Sequence, residues 1–304
     1  MDLKDLLDEL SSTTKGEFSS MPEVVDGTDD VDVSTLPITA RKWTRMDDVV
    51  VVVADLKSST QLGTGSKAAS TASIYEAGTG GVVKIFDKFD ANFIQIQGDG
   101  ALAIFWGDRR YERAMCAGIT VKTNSLDFAT QIETKWPTKP ETGFKVGVAS
   151  GRVLVKRVGT PRNPAQQEPV WAGKPVNYAT KAAQCADRHQ LIVAGSVWDR
   201  IEKNDYLTLS CTCGDGPGDG IWQDFEIDKL PIDDPERQGR RLVSSWCQVH
   251  GEEYCNAILD GKKNRPDVNA LRESMIQAQW ADSLRAVARR KRDDVRNRRR
   301  GLSA

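Results

Sequence analysis

The chain has 304 residues, with 42 Lys and Arg against 43 Asp and Glu and a formal net charge of −1. This length is enough for one large or two modest domains, and the 39% hydrophobic and 28% charged residues are typical of a soluble globular protein. No run approaches the about 20 apolar residues of a membrane-spanning helix, and the acidic start of the chain is unlike a secretory signal peptide. We therefore expect a cytoplasmic protein without a membrane partner.

The two ends of the chain carry opposite charge. Residues 1–35 are rich in Asp, Ser and Thr, which predicts a flexible acidic arm with one short amphipathic turn near Leu3 and Leu10. Residues 285–300 are dominated by Arg and can in principle contact nucleic acid. Such a run is more often a solvated helix face or a contact between subunits, so a nucleic acid partner is not expected.

The first predicted strand is Val49–Leu56, a continuous β-branched run typical of a strand buried on both faces. Asp99-Gly100 lies between two later apolar segments and is a strong signal for a tight hairpin. The other elements follow from apolar periodicity: helices at 66–89, 109–135 and 176–186, and strands at 93–97, 101–106, 144–150, 153–155 and 190–194.

The resulting order β-α-β-β-α-β predicts an α+β fold with a ferredoxin-like core, extra strands and a helical, Cys/His-containing C-terminal extension. The composition changes after about residue 205, where a Gly/Pro loop begins. We therefore divide the chain into the arm (1–35), a catalytic domain (36–205) and an extension (206–304) that ends in a helix over 267–300.

Two carboxylates stand at predicted strand ends. Asp55 ends the first strand and Asp99 lies at the tip of the next hairpin. The first and third strands of a βαββ core can be neighbours, so these side chains can meet and hold two divalent ions about 3.5–4 Å apart, a geometry suited to phosphoryl transfer. Taken singly, each aspartate is better explained as a turn residue or a strand end, and only the flanking residues favour the metal site.

Four segments resemble the catalytic domain of the class III nucleotidyl cyclases in order and spacing, over roughly residues 45–200. They are VVVVADLKSST, QIQGDGALAIFWG, GVASGRVLV and WAGKPVNYATKAA. DLKSST in particular looks like the bacterial pyrimidine cyclases that act in anti-phage signalling. The resemblance implies a homodimer whose composite active sites join metal carboxylates of one chain to base- and ribose-facing residues of the other.

The resemblance also implies roles for single residues. Two Mn²⁺ or Mg²⁺ ions would be bound by Asp55, Asp99 and the backbone of Leu56. Phosphate would be contacted by the turn of Lys57, Ser58, Ser59 and Thr60, whose amides can form an anion nest, and by Arg152. Asn177 would orient the ribose. Lys181 stands where the family usually has an arginine that stabilises charge at the α-phosphate, and it lacks the planar fork of that arginine.

The base-reading positions differ from the adenylyl and guanylyl types. They are Gln95 and Val170 here, and valine cannot accept a hydrogen bond from the exocyclic amine of adenine. The amide of Gln95 both donates and accepts, and therefore suits uracil or cytosine. The resemblance implies cyclisation of UTP to cyclic UMP, with CTP as the alternative, and a separate effector protein that reads the product. A nucleotide-binding module that has lost catalysis is the other reading left open.

The C-terminal part contains a second candidate metal site. Three or four of five residues there could bind one structural zinc ion tetrahedrally through sulfur and imidazole: Cys211, Cys213, Cys247, His250 and Cys255. The alternative is that these cysteines are small buried apolar residues.

Overall fold

A computed structural model of the chain describes residues 2–63, 68–213, 220–274 and residue 277. The chain forms two compact units, one of residues 1–200 and 222–246 and the other of residues 201–221 and 247–304. Within the described ranges, no helix has the length and apolar character needed to cross a membrane.

The first unit contains a single sheet of nine strands. The strands are β1 Glu23–Asp26, β2 Lys42–Leu56, β3 Phe93–Gln97, β4 Gly100–Phe105, β5 Phe144–Gly159, β6 Gln167–Ala172, β7 Gln190–Val193, β8 Trp222–Glu226 and β9 Gln238–Leu242. The described residues include the helices α1 Leu3–Phe18, α2 Ser59–Leu62, α3 Ala68–Lys88, α4 Arg110–Lys135, α5 Lys174–Cys185, α6 Gly195–Ile201, α7 Asp205–Thr208 and α8 Gly251–Leu259.

The strand order β3-β4-β2-β5-β7-β9-β8 contains the predicted ferredoxin-like core. β2, β3, β4 and β5 pair antiparallel, with α3 and α4 as the two crossovers. β1 pairs parallel with β2 at its start, and β6 pairs antiparallel with the far end of β5. The α+β fold class predicted from the sequence is confirmed.

β2 owes its central position to its run of valines. Val49, Val51 and Val53 pack with residues of α5 in one apolar cluster, while the alternate valines face the other side of the sheet. All five valines from Val49 to Val53 are nearly inaccessible to solvent. β2 is therefore buried on both faces, as its continuous apolar sequence predicts.

The close packing of α5 on the sheet depends on one glycine. A β-carbon on Gly147 of β5 would lie 2.1 Å from the carbonyl oxygen of Ala179 and 2.3 Å from the amide nitrogen of Ala183. These contacts are with backbone, so a side chain at this position must push the helix away. Gly147 thereby sets the height at which α5 lies above the sheet.

Several elements differ from the sequence-based expectation. The segment predicted as a flexible arm contains α1, whose N-terminus is capped by the side chain of Asp2, and β1. Residues 144–155 form one strand, because Gly151 adopts a φ of +139° and the chain continues where a break was expected. β8 and β9 lie within the predicted extension, yet β9 pairs with β7 of the sheet and β8 pairs with β9.

The predicted C-terminal helix is described only in its first part. Residues 266–274 are helical, and most of the range 267–300 lies outside the described residues. The basic segment 285–300 also lies outside them, so its predicted role in subunit contact stays a prediction.

We predict that Gly147→Ala destabilises the protein by about 3 kcal/mol. This value is the upper end of the usual cost of inserting an extra carbon atom into a well-packed core. The matched control is Gly80→Ala in α3, where an added β-carbon meets nothing within 4 Å. Alanine there should be neutral or stabilising by up to about 1 kcal/mol, because it favours the helix. Urea unfolding of both variants measures the two effects, and equal stability of the variants would contradict this account of the packing.

Candidate active site

Asp55 and Asp99 reach the same end of the sheet because β2 and β4 pair antiparallel with Ala54 opposite Ala101. Asp99 belongs to the turn between β3 and β4. A β-carbon on the next residue, Gly100, would lie 2.3 Å from the carbonyl oxygen of Ala54 and 3.2 Å from the Cα atom of Asp55. The turn that carries Asp99 is therefore pressed against the end of β2, as the strand order of the predicted core requires.

The two carboxylates have different surroundings. Oδ2 of Asp99 is buried and has no hydrogen-bond partner in the part of the chain that the structure describes. Oδ2 of Asp55 lies 2.5 Å from Nζ of Lys145, and the Asp55 side chain is 39% exposed. A buried oxygen without a donor is costly unless a cation or water meets it. The pair therefore fits hard divalent cations such as Mg²⁺ and Mn²⁺, which prefer carboxylate and carbonyl oxygens.

Lys145 is the basic side chain next to this carboxylate pair, and the sequence analysis did not identify it. It lies in β5 directly opposite Asp55, and its side chain is only 17% exposed. The sequence gives no sign of this pairing, because 90 residues separate Asp55 and Lys145 and only the register of β2 against β5 places them opposite each other. Lys145 supplies positive charge where a triphosphate would approach the carboxylates.

Arg152, the arginine predicted to contact the triphosphate, lies in the middle of β5. Seven residues separate it from Lys145, which corresponds to about 23 Å along a strand. Its Nε atom is 2.7 Å from Oδ1 of Asp47, and both side chains are largely exposed. The structure does not bring Arg152 to Asp55 of the same chain.

The predicted phosphate turn follows β2 directly, and part of its hydrogen-bonding capacity is already used. The amide of Lys57 donates to the carbonyl oxygen of Gly143, and its Nζ atom lies 2.5 Å from Oδ1 of Asp187. Ser58 has a φ of +61°, an uncommon conformation for a residue other than glycine, and it turns the chain into α2, which begins at Ser59. Ser58, Ser59 and Thr60 therefore form the tight part of the turn.

Asn177 and Lys181 lie one turn apart on α5 and line one cleft of about 530 Å³. Lys174, three residues before Asn177, lines the same cleft and adds a second cation. This size is within the range of about 300–1,000 Å³ that small-molecule sites occupy. The spacing of Lys174, Asn177 and Lys181 places them on one helix face, a periodicity that the sequence analysis did not extend to Lys174.

The start of α5 is fixed by a carboxylate from the loop before β9. Oδ2 of Asp234 accepts from Nζ of Lys174 at 2.8 Å and from the hydroxyl of Tyr178 at 2.5 Å. The hydrogen bond from Lys174, followed by that from Tyr178, lowers the pKa of Asp234 to about 2. Asp234 is thus ionised at neutral pH and anchors the helix that carries Asn177.

A separate, small cavity adjoins Asp55. It has a volume of about 90 Å³ and shares Thr180 and Gln184 of α5 with the larger cleft. This volume is below what a nucleotide needs. The cleft that is large enough contains Asn177 and Lys181 but neither Asp55 nor Asp99.

The predicted base-reading residues lie on strands that do not pair with each other. Gln95 is half-buried in β3, and Val170 is 43% exposed in β6. The strands approach each other through the rings of Phe93 and Trp171, whose centroids are 5.2 Å apart. Since side chains alternate along a strand, Gln95 shares the face of Phe93, whereas Val170 points away from Trp171. The single chain does not bring these two side chains together.

In the second compact unit, four of the five predicted zinc ligands come together. The ligand atoms of Cys211, Cys213, Cys247 and His250 all lie within 4.8 Å of one another, and the group could hold a metal ion. Cys255 does not belong to this group.

We predict that added Mn²⁺ raises the melting temperature of the wild-type protein by a few degrees, as expected for a ligand at about 100 times its Kd. Asp99→Asn should abolish most of this shift, because it removes the charge of the buried, unpartnered carboxylate. Asp87→Asn, which changes an exposed aspartate of α3, is the matched control and should keep the full shift. Differential scanning fluorimetry with and without Mn²⁺ measures the change in melting temperature. An unchanged shift in Asp99→Asn would refute a metal site at this carboxylate.

The chain is similar over nearly its whole length to two proteins named uridylate cyclase. It is 54% identical over 303 residues to a uridylate cyclase of Micromonospora echinofusca, covering 99% of both chains. It is 45% identical over 298 residues to a uridylate cyclase of Propioniciclava tarda, covering 97% of this chain and 96% of that one. No protein-family model matches it.

Solved structures agree with the fold. The adenylyl cyclase CyaB from P. aeruginosa superposes with a TM-score of 0.53 at 16% identity, over 67% of this chain and 96% of that one. At this identity the likeness concerns the fold alone, while the full-length identity to the two relatives shows the family. The chain therefore belongs to the uridylate cyclases, nucleotide cyclases with the class III nucleotidyl cyclase fold.

Proposed function

We propose that this enzyme converts UTP into 3′,5′-cyclic UMP and diphosphate in a metal-dependent reaction. The observation that carries the proposal is the 54% identity over 99% of both chains to a uridylate cyclase. The meeting of Asp55, Asp99 and Lys145 at one end of the sheet supports it, because these residues offer the charges that a nucleoside triphosphate and its cations need.

Asp55, Asp99 and the backbone carbonyl of Leu56 would hold two Mn²⁺ or Mg²⁺ ions. When bound, such ions activate the ribose 3′-hydroxyl and neutralise the triphosphate. The oxygen of this hydroxyl forms a bond to the α-phosphorus, the bond from the α-phosphorus to the diphosphate breaks, and the hydroxyl proton passes to solvent. The chain's part is to hold the reacting atoms in line and to balance the negative charge that develops.

Lys145 is the residue that we assign to the triphosphate beside the carboxylates. Its pairing with Asp55 at 2.5 Å leaves the ammonium free to turn to a phosphate oxygen once a cation neutralises that carboxylate. The turn of Ser58, Ser59 and Thr60 would contribute amides to the same phosphates. Arg152 lies about 23 Å along the strand from Lys145, so it would contact the triphosphate from the other subunit of a dimer.

Asn177 would orient the ribose and Lys181 would stabilise the charge at the α-phosphate. Both line the cleft of about 530 Å³ on α5, and Lys174 adds positive charge there. Lysine keeps the charge of the usual arginine without its two-pronged geometry, so we expect Lys181 to act as a point charge.

Gln95 would read the uracil base, because its amide can donate to a carbonyl oxygen of the ring and accept from the ring N–H. Val170 offers no acceptor for an exocyclic amine, which disfavours adenine. Cytosine is the other base that Gln95 can pair with, so CTP is the competing substrate.

The site is composite and the enzyme works as a homodimer in this proposal. Within one chain, neither carboxylate lines the α5 cleft, which shares Thr180 and Gln184 with the small cavity at Asp55. A second chain that covers the α5 face would join the carboxylates of one subunit to Asn177 and Lys181 of the other. The partly exposed side chains of Phe93 and Gln95 on that face are consistent with such cover.

Cyclic UMP would serve as a second messenger in defence against phage. The support is the DLKSST segment, Asp55–Thr60, which resembles that of the bacterial pyrimidine cyclases of anti-phage systems. A separate effector protein would bind the cyclic nucleotide.

We predict that the purified enzyme with Mn²⁺ forms cyclic UMP from UTP in preference to products from CTP, ATP or GTP. Mass spectrometry of the products identifies the base directly. Asp55→Ala should reduce the rate by at least about 10³-fold, the scale of losing electrostatic stabilisation in an active site. Asp87→Ala is the control and should keep its activity. Cyclic CMP as the main product would overturn the choice of base, and cyclic AMP would overturn the argument from Val170.

We predict further that two inactive variants restore activity when mixed. Asp55→Ala and Asn177→Ala damage opposite halves of a composite site, so a mixed dimer contains one intact site. Random exchange at equal concentrations should give about one quarter of wild-type activity, since half of the dimers are mixed and each has one working site of two. Asp55→Ala mixed with Asp99→Ala damages the same half and should stay inactive. Absence of rescue in the first mixture, after subunit exchange has been verified, would contradict the composite site.

A further inference from the structure

We propose that Cys211, Cys213, Cys247 and His250 form a structural zinc site that holds the second compact unit together, separate from the cyclase reaction. This unit consists of residues 201–221 and 247–304. Two of the ligands come from each of its two chain segments. A metal ion bound by all four would cross-link the segments.

The distances fit one tetrahedral ion. Sγ of Cys213 and Sγ of Cys247 lie 3.3 Å and 3.9 Å from Nδ1 of His250. In a tetrahedral site with Zn–S of about 2.3 Å and Zn–N of about 2.0–2.1 Å, sulfur and nitrogen are about 3.5 Å apart. The observed distances lie on either side of this value, and all four ligand atoms fall within 4.8 Å of one another.

The backbone holds two of the ligands in place. The amide of Gly251 donates to the carbonyl oxygen of Cys247 at 2.8 Å, which closes the turn that brings Cys247 and His250 together. The amide of Val249 donates to Sγ of Cys247 at 3.4 Å. The ring of His250 stacks on Tyr254 of α8, with centroids 5.7 Å apart. Hydrogen bonds to ligand sulfur and a fixed imidazole are typical supports of a metal centre.

The other pair of ligands, Cys211 and Cys213, comes directly after a segment that is bound by a buried arginine. Arg265 is 1% exposed and donates to the carbonyl oxygens of Leu209 and Ser210, just before Cys211. Its guanidinium also lies 4.6 Å from the centre of the Tyr254 ring, which stacks on His250. Arg265 thus ties the segment that enters Cys211 to the helix that begins beside His250, so the group is organised from both sides.

Such a cross-link would stabilise this unit. Its buried apolar residues in the described ranges are few: Ile201, Tyr206, Leu207, Tyr254, Ala257, Ile258 and Val268. Small units with little core are commonly stabilised by a metal or by disulfides. All the cysteines of the group are free thiols here. Three sulfurs and one imidazole in a closed tetrahedral set favour zinc over the hard cations of the carboxylate site.

The test is the zinc content of the purified full-length protein, expressed in ordinary medium without added zinc. Inductively coupled plasma mass spectrometry should give about one zinc per chain, the stoichiometry of one closed structural site. Exchange for Co²⁺ should give the visible absorption of a tetrahedral cobalt thiolate centre. Zinc below about 0.3 equivalents in the wild type, or a cobalt spectrum without thiolate bands, overturns the proposal.

Variants assign the ligands. Cys247→Ser and His250→Asn should lose most of the zinc, and Cys255→Ser is the matched control, a cysteine of the same unit outside the group. Cys255→Ser should retain the full equivalent. Limited proteolysis of zinc-depleted wild type should cleave faster within 201–213 and 247–274 than in the holoprotein. Equal zinc in all variants, or unchanged cleavage after depletion, contradicts a structural site at these residues.

Discussion

The antiparallel pairing of β2 with β4 on one side and β5 on the other is the constraint on which the site depends. It sets Ala54 opposite Ala101 and Asp55 opposite Lys145, so that two carboxylates and an ammonium from three distant parts of the chain share one end of the sheet. A shift of one residue in either pairing would turn these side chains to opposite faces. The buried valines of β2 resist such a shift because both faces are packed.

The second constraint is the packing of α5 on the same face of the sheet. The helix approaches so closely that only a glycine fits at position 147, and Asp234 anchors its first turn. Asn177 and Lys181 are thereby held above the sheet, in a cleft apart from that of Asp55. The large cleft on α5 is therefore lined by Asn177 and Lys181 but by neither Asp55 nor Asp99.

The compact unit with the Cys/His group is organised differently. In its described residues, polar and aromatic contacts around Arg265 lie near the four clustered Cys and His side chains, and few apolar residues are buried. The sheet unit, by contrast, is stabilised mainly by aliphatic burial. The two units of the chain therefore use different physical means to fix their side chains.

The sequence alone was sufficient for the core elements, the hairpin at Asp99, the fold class and the family, because apolar periodicity, turn residues and ordered motifs are local properties. It did not predict β1, β6, β8 or β9, whose short segments become strands through pairing with residues far along the chain. Nor did it identify Lys145 beside Asp55, exclude Cys255 from the metal group, or separate Arg152 from the carboxylates. Those facts depend on register and on long-range contact, which only the tertiary structure decides.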